Sequence, residues 1–398
     1  MLSSVSVERF KSLVRLDIEL GRINVFIGAN GSGKSNLLEA LGVLGTAAFG
    51  RVDDETLLRR GVRPGVPRLY KTAFPLAKKD HVQHIAFSAK AASGASYAVT
   101  LWNPIENPSP AWRFKTENLR GAGGDAVVKR SITSAGKHNQ EQGLAALETV
   151  NFKPGDATLS LMEQLRNYSI YCPNTPSLRG LAQDQQARDP VGLAGGRLPE
   201  AIDELLTAAK KNPLLAELLE EVRDLIDWAK GFSAAPSVNV PLSPSAARSR
   251  LVIQFTDRFM RKGRNVLTGY DASEGALYIL FCAVLALHPK APACLAVDNI
   301  DQALNPRLAM RLMEALCGWT RKLNGDRQWL VTAHNPAVLD GLPIDDPTVR
   351  LFAVDRDSSG HTQVTRIDIE TAIRKRPGKD WTLSRMWMNG LLGAVPNV

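Results

Sequence analysis

Gly28-Ala29-Asn30-Gly31-Ser32-Gly33-Lys34-Ser35 completes the pattern G-x-x-x-x-G-K-[ST], with an apolar run over residues 23–27 before it and a helix-like run over 36–44 after it. Strand, glycine-rich turn and helix are the context in which this pattern carries its chemistry. The glycines let backbone N–H groups turn inward around a phosphate chain, and the start of the helix adds positive dipole character at the same point. The cradle is expected to run from Asn30 through Gly31, Ser32 and Gly33 to Asn36. Lys34 is expected to reach the β- and γ-phosphates, and Ser35 to ligate Mg²⁺. The ligand class this implies is ATP or GTP.

Outward from that loop, residues 2–10 and 14–20 alternate as strands, and 84–90 with 96–102 read as an antiparallel pair closed by 91–95. Residues 115–145 are rich in Gly, Lys, Ser and Gln and read as a mobile insertion. Residues 198–208 and 212–230 carry helical periodicity, and 234–245, with three prolines, reads as a linker. Strands are expected over 169–172, 251–255, 264–267, 294–297 and 329–332, a helix over 273–287, and a last hairpin from 350–354 and 362–367. The class is α/β.

Three further clusters bear on the site. Leu295-Ala296-Val297-Asp298-Asn299-Ile300-Asp301 is an apolar strand ending in an acid, the physical form of a site that delivers a carboxylate to a Mg²⁺ shell. Trp329 to Asn335 hands His334 to the carboxyl end of a strand, where open α/β sheets bind ligands. Asp271 to Gly275 opens a helix with Ser273 and Gly275, which expose N–H groups. Alone these are a strand stopped by polar residues, a structural histidine and an N-cap. Their order behind the glycine-rich loop makes coincidence a poor account.

The chain has 398 residues, 44% hydrophobic and 22% charged, which excludes wholesale disorder. Its net charge of +9 permits nucleic-acid contact, with basic clusters at 51–68, 248–264 and 374–379, although solvated surface is the ordinary reading of such charge. Cys172, Cys282, Cys294 and Cys317 are scattered and read as buried free thiols in a reducing compartment. The longest apolar run, 276–287, is short of the ~20 residues a membrane span needs. The expectation is a cytoplasmic protein with no leader segment and no membrane contact.

Taken together, these residues resemble the ABC-type ATPases of the RecF/SMC/OLD-like group, and most closely the compact bacterial "AAA family ATPase" proteins. The resemblance rests on Phe10-Lys11-Ser12 with the loop, Tyr171 to Arg179, Pro190 to Pro199, Ser273 to Gly275, Val297 to Pro306, Thr332 to Pro336 and Leu383 to Pro396. It implies a P-loop NTPase fold of ABC-ATPase type, with a mixed central sheet, an antiparallel β insertion and a helical signature lobe. The corresponding segments are 1–165, 166–275 and 276–398, one composite domain. By the same resemblance Asp298 is the Walker B acid, and His334 senses the γ-phosphate. Ser273 and Gly275 are the signature that meets ATP bound to a second subunit, so ATP and Mg²⁺ hold a homodimer or higher oligomer together. Phe10 and Lys11 lie near the adenine, and Gln83, Gln140 and Gln142 are weak candidates for the glutamine that joins the Mg²⁺ shell.

The sequence departs from the family at Asn299, where a glutamate ordinarily orients the attacking water. An amide positions water but accepts no proton near neutral pH. Either turnover is slow, with ATP acting mainly as a clamp, or Asp301 supplies the carboxylate. No long heptad run, H-N-H cluster or Cys-based hook occurs, and the 64 residues after His334 are too few for a toprim nuclease domain. The expected function is an ATPase that couples nucleotide-dependent association to control of a separate effector protein, in antiviral defence or DNA surveillance. A RecF-like DNA repair or loading factor is the alternative. An ABC transporter subunit fits less well, because Ala272-Ser273-Glu274-Gly275 stands in place of a fuller Leu-Ser-Gly-Gly-Gln.

Overall fold

The computed structural model describes residues 1–74, 84–131, 139–149, 152–182, 184, 186, 188–243, 249–325, 327–343, 345–378 and 380–394. β1 (Leu2–Phe10) and β2 (Leu13–Glu19) pair antiparallel, and their inward residues, among them Val5, Val7 and Leu16, are buried. They begin a six-stranded antiparallel sheet in the order β2-β1-β4-β5-β6-β7, completed by β4 (Ile85–Ala91), β5 (Ser96–Trp102), β6 (Arg113–Arg120) and β7 (Ala126–Arg130).

The central sheet is built differently. β3 (Ile23–Ile27) is buried along its whole length, as a strand covered on both faces must be. Val25 and Ile27 face one hydrophobic core while Phe26 faces the other. Strand order is β15-β14-β3-β13-β12-β8, from β8 (Ile170–Tyr171), β12 (Cys294–Val297), β13 (Gln328–Ala333), β14 (Val349–Arg356) and β15 (Thr362–Ile367). Every pair is parallel except β14 with β15, so the sheet is mixed. Parallel pairing brings the carboxyl ends of β3, β13, β12 and β8 to one edge.

Between the two sheets lie α1 (Lys34–Phe49) and α2 (Ala157–Asn167), whose buried side chains belong to the same core. The opposite face of the central sheet carries α3 (Leu198–Ala209), α4 (Pro213–Leu225), α5 (Glu274–Leu287) and α6 (Pro306–Lys322). A three-stranded sheet, β11-β10-β9, joins that side through Ala229, Ile253 and Phe255; it consists of β9 (Ala229–Pro236), β10 (Leu251–Asp257) and β11 (Val266–Thr268).

Three sequence expectations are corrected. Residues 115–145 contribute the end of β6 and all of β7 to the antiparallel sheet. Their polar composition concealed this because two inward positions are Glu117 and Arg130, both buried. Glu117 accepts hydrogen bonds from Tyr97 and from the Leu144 and Ala145 N–H groups, and Arg130 donates to the Phe114 and Gln142 carbonyls. The helix expected over 212–230 ends at Leu225, and 229–236 is a strand paired antiparallel with β10. Pairing, not the propensity of its Ala, Ser and Gly residues, makes it one. Cys172 is exposed, while Cys282, Cys294 and Cys317 are buried as expected.

Candidate functional site

Gly28 and Gly33 shape the loop between β3 and α1. A Cβ on Gly28 would come within 2.2 Å of the Val354 carbonyl oxygen, and one on Gly33, whose φ is +113°, within 2.1 Å of Thr362 Oγ1. Thr362 in turn hydrogen-bonds the Ser32 carbonyl (2.7 Å) and Ser12 Oγ (2.7 Å), and Asn36 Nδ2 donates to Ser12 Oγ (2.8 Å). The loop is thus braced from below by β15 and by the β1–β2 turn. Arg356 Nε donates to the Gly31 carbonyl (2.7 Å), and Asn30 and Gly31 are exposed at the tip.

The open side of the loop has the chemistry of a phosphate cradle. Among the described residues no side chain caps the N-terminus of α1, which leaves its first N–H groups to an external acceptor. Ser32 Oγ is buried and, among the described residues, has no hydrogen-bond partner. Lys34 Nζ closes the loop on itself by donating to the Gly28 (2.8 Å) and Ala29 (3.0 Å) carbonyls. Burial pushes the Lys34 ammonium down to about 8, against the pull of Asp298 and Asp301.

Opposite stands Asp298, just past the end of β12. Ser35 Oγ donates to Asp298 Oδ2 (2.8 Å), and Thr332 Oγ1 donates to Asp298 Oδ1 (2.5 Å). Thr332 also accepts from the Asn299 N–H (2.8 Å). Asn299 has a φ of +59°, a left-handed conformation that Asn tolerates better than most residues. Asp301 is buried, and its Oδ2 accepts from the His334 (2.8 Å) and Asn335 N–H groups. That carboxylate therefore braces the turn leaving β13. His334 itself is exposed at the sheet edge, and partial loss of water around its ring, with the Lys34 charge nearby, lowers its pKa against the opposing pull of Asp301 and Asp298.

A cavity of about 430 Å³ adjoins the loop, lined among others by Lys11, Asn36, Tyr70, Phe74 and Arg356. Phe10 does not reach it, since it is wholly buried against Tyr70 and Phe87. Lys11 does, and it shares the buried carboxylate of Glu39 with Arg63, whose Nε donates to Glu39 Oε1 (2.6 Å). Burial alone would raise the Glu39 carboxyl, but Arg63 and Lys11 outweigh it and hold the pKa below its ordinary value. The lone acid in the apolar α1 was the signal for this pair, and Thr332 was legible only as part of its strand.

Ser273 caps α5 from an exposed position, with no side-chain capping bond. Gly275 packs near the Ala303 carbonyl and Leu304. Among the described residues no hydrogen bond joins Ser273 or Gly275 to residues 28–36. Gln140 and Gln142 lie beside Phe114, Arg130 and Gly50, at the end of α1 remote from Ser35. Neither can share a metal ion with Ser35. Gln83 lies outside the described residues.

Comparison with known proteins bears on this arrangement. A family described as "AAA domain, putative AbiEii toxin, Type IV TA system" matches residues 23–88 and 158–340. The chain is similar to the "DNA replication and repair protein RecF" of Clavibacter michiganensis subsp. michiganensis, with 31% identity over 132 residues, 32% of each chain. The protein of the same name from Paenarthrobacter aurescens is 41% identical over 69 residues, 17% of each. The matched stretches therefore span a third or less of these curated relatives. Among solved structures, the "SmcHead bound to the C-winged helix domain of ScpA" matches with a TM-score of 0.51 at 14% identity, covering 93% of this chain and 99% of that one. This last likeness concerns the fold.

Proposed function

The chain belongs to that AAA-domain family, as an ABC-type ATPase of the RecF/SMC/OLD-like group with the corresponding P-loop fold, and on this premise we propose that it is a slowly turning-over ATP-dependent clamp. The observation that carries the reading is the pairing of an intact P-loop and Asp298 with Asn299 in the position of the water-orienting carboxylate. Lys34 and the N–H groups at the start of α1 hold the phosphates, and Thr332 fixes the rotamer of Asp298. The cavity beside Lys11 and Tyr70 takes the base. Ser35 Oγ and Asp298 Oδ2 form an all-oxygen donor pair, and together with nucleotide phosphates it suits Mg²⁺, which when bound neutralises phosphate charge. Asn299 holds the attacking water without taking its proton, and His334 contacts the γ-phosphate as a neutral donor.

The exposed, uncapped Ser273 supports closure of a second subunit over the nucleotide, giving a homodimer or higher homo-oligomer. We read segments 1–165, 166–275 and 276–398 as one composite ATPase domain working this way in the cytoplasm. The family description names a toxin of a Type IV TA system, which fits work alongside a partner protein; we extend this to coupling of the ATP-held state to a separate effector in antiviral defence, with the RecF likeness favouring DNA surveillance or repair as the alternative. Among the described residues no helix is long and apolar enough to cross a membrane. Calorimetry with MgATP tests the reading. Lys34→Ala should weaken binding tenfold or more, as loss of a ~1.5–3 kcal/mol charged hydrogen bond predicts, and wild-type phosphate release should be slow. Unchanged affinity in the variant defeats the P-loop assignment.

A further inference from the structure

The β10–β11 hairpin presents residues 258–264, Arg-Phe-Met-Arg-Lys-Gly-Arg, as seven consecutive exposed positions. Phe259 is 79% exposed and Met260 43%. Among the described residues only Val238 is a more exposed large apolar side chain than Phe259.

Hydrogen bonds within the loop set the shape of the tip. Asp257 Oδ1 accepts from the Phe259 (2.7 Å) and Met260 (2.9 Å) N–H groups, which turns that oxygen toward the loop backbone. Asp257 and Asn265 close its neck by a backbone bond of 2.7 Å and a side-chain bond of 3.2 Å. Arg258 Nη2 donates to the Ala229 carbonyl of the neighbouring strand β9 (3.0 Å). Arg261, Lys262 and Arg264 form no ion pair among the described residues, so three cations follow the two apolar side chains on the same exposed loop.

From this we infer that the hairpin tip is a binding site for single-stranded nucleic acid. Arg261, Lys262 and Arg264 take phosphates, and Phe259 stacks on an unpaired base. Base stacking accounts for exposed Phe259 where phosphate attraction alone does not, because a paired duplex offers no free base face. An anionic lipid surface would be met by a broad apolar face, and this tip offers two apolar side chains. The site is separate from the P-loop and does not depend on ATP binding there.

Fluorescence anisotropy of labelled oligo-dT and oligo-U with the full chain tests it. The combined Arg261→Glu, Lys262→Glu and Arg264→Glu variant should lose at least about tenfold in affinity, and its slope of log affinity against log salt should flatten by about 2. Phe259→Ala should lose about five- to a hundredfold on the same strands. The milder Arg261→Gln, Lys262→Gln and Arg264→Gln set guards against misfolding, with unchanged MgATP affinity as the check, and Lys34→Ala should bind the strands like wild type. Absence of binding by the wild type, or full binding by the folded variants, overturns the inference. So does Phe259-independent binding that is equal on duplex and single strand, or Phe259-dependent binding to phosphatidylserine vesicles with none to oligonucleotide.

Discussion

Thr332 Oγ1 lies 2.5 Å from Asp298 Oδ1 and also accepts the Asn299 N–H, so one hydroxyl at the end of β13 sets both residues that follow β12. The remaining Asp298 oxygen is left facing Ser35. β13 lies between β3 and β12 in the sheet, which is why a residue far from both in sequence can do this.

Thr332→Val should therefore weaken MgATP binding or turnover by roughly tenfold or more, the scale of one hydrogen bond to a charged group. Thr332→Ser, which keeps the hydroxyl, should stay near wild type. Equal loss in both variants would mean that the methyl packing matters and the hydroxyl does not.

Lys34 makes ATP binding pH-dependent in a defined direction. In the free protein its pKa is depressed to about 8, and phosphate oxygens favour the cation, so binding raises it. Below that pH the cation is already present. Above it, binding must draw in a proton, and the affinity should fall by up to about tenfold per pH unit. Calorimetry at about pH 9 in buffers of different ionisation enthalpy should read proton uptake near one per site. Zero uptake there would remove Lys34 as the titrating contact.

Ser273→Arg should block ATP-dependent association while leaving Lys34-dependent binding by single subunits largely intact, because among the described residues no hydrogen bond joins Ser273 to its own P-loop. Light scattering with a slowly hydrolysed ATP analogue, and without nucleotide, gives the comparison. Equal association of variant and wild type counts against a composite site.

Asn299→Glu should raise steady-state phosphate release, since a carboxylate beside the water typically contributes ~10²–10⁴-fold, with part lost to repulsion by Asp298. The same change should shorten any ATP-held state. Asp301→Asn is the matched control, because it keeps an acceptor for the His334 and Asn335 N–H groups but takes no proton. Brisk wild-type turnover that collapses in Asp301→Asn and does not rise in Asn299→Glu would assign the base to Asp301.

What the sequence determined was local. A glycine-rich loop between a buried strand and a helix has few other physical meanings, and short apolar runs before Asp298 and His334 announce strand ends, so the loop and the two strand ends were legible. Strand order was not, and with it the placement of Thr332 against Asp298 and of Thr362 beneath Gly33, because the pairing of β13 with β12 and of the β14–β15 hairpin with β3 joins residues whose separation leaves no local trace. β6, β7 and β9 were hidden for a related reason. The inward positions Glu117 and Arg130 are satisfied by hydrogen bonds from distant segments, and β9 owes its extension to β10. Only the tertiary structure divides the acids into Asp298, held toward Ser35, and Asp301, bound to the backbone of its neighbouring turn, since a carboxylate's role follows from which donors the fold brings within hydrogen-bond reach.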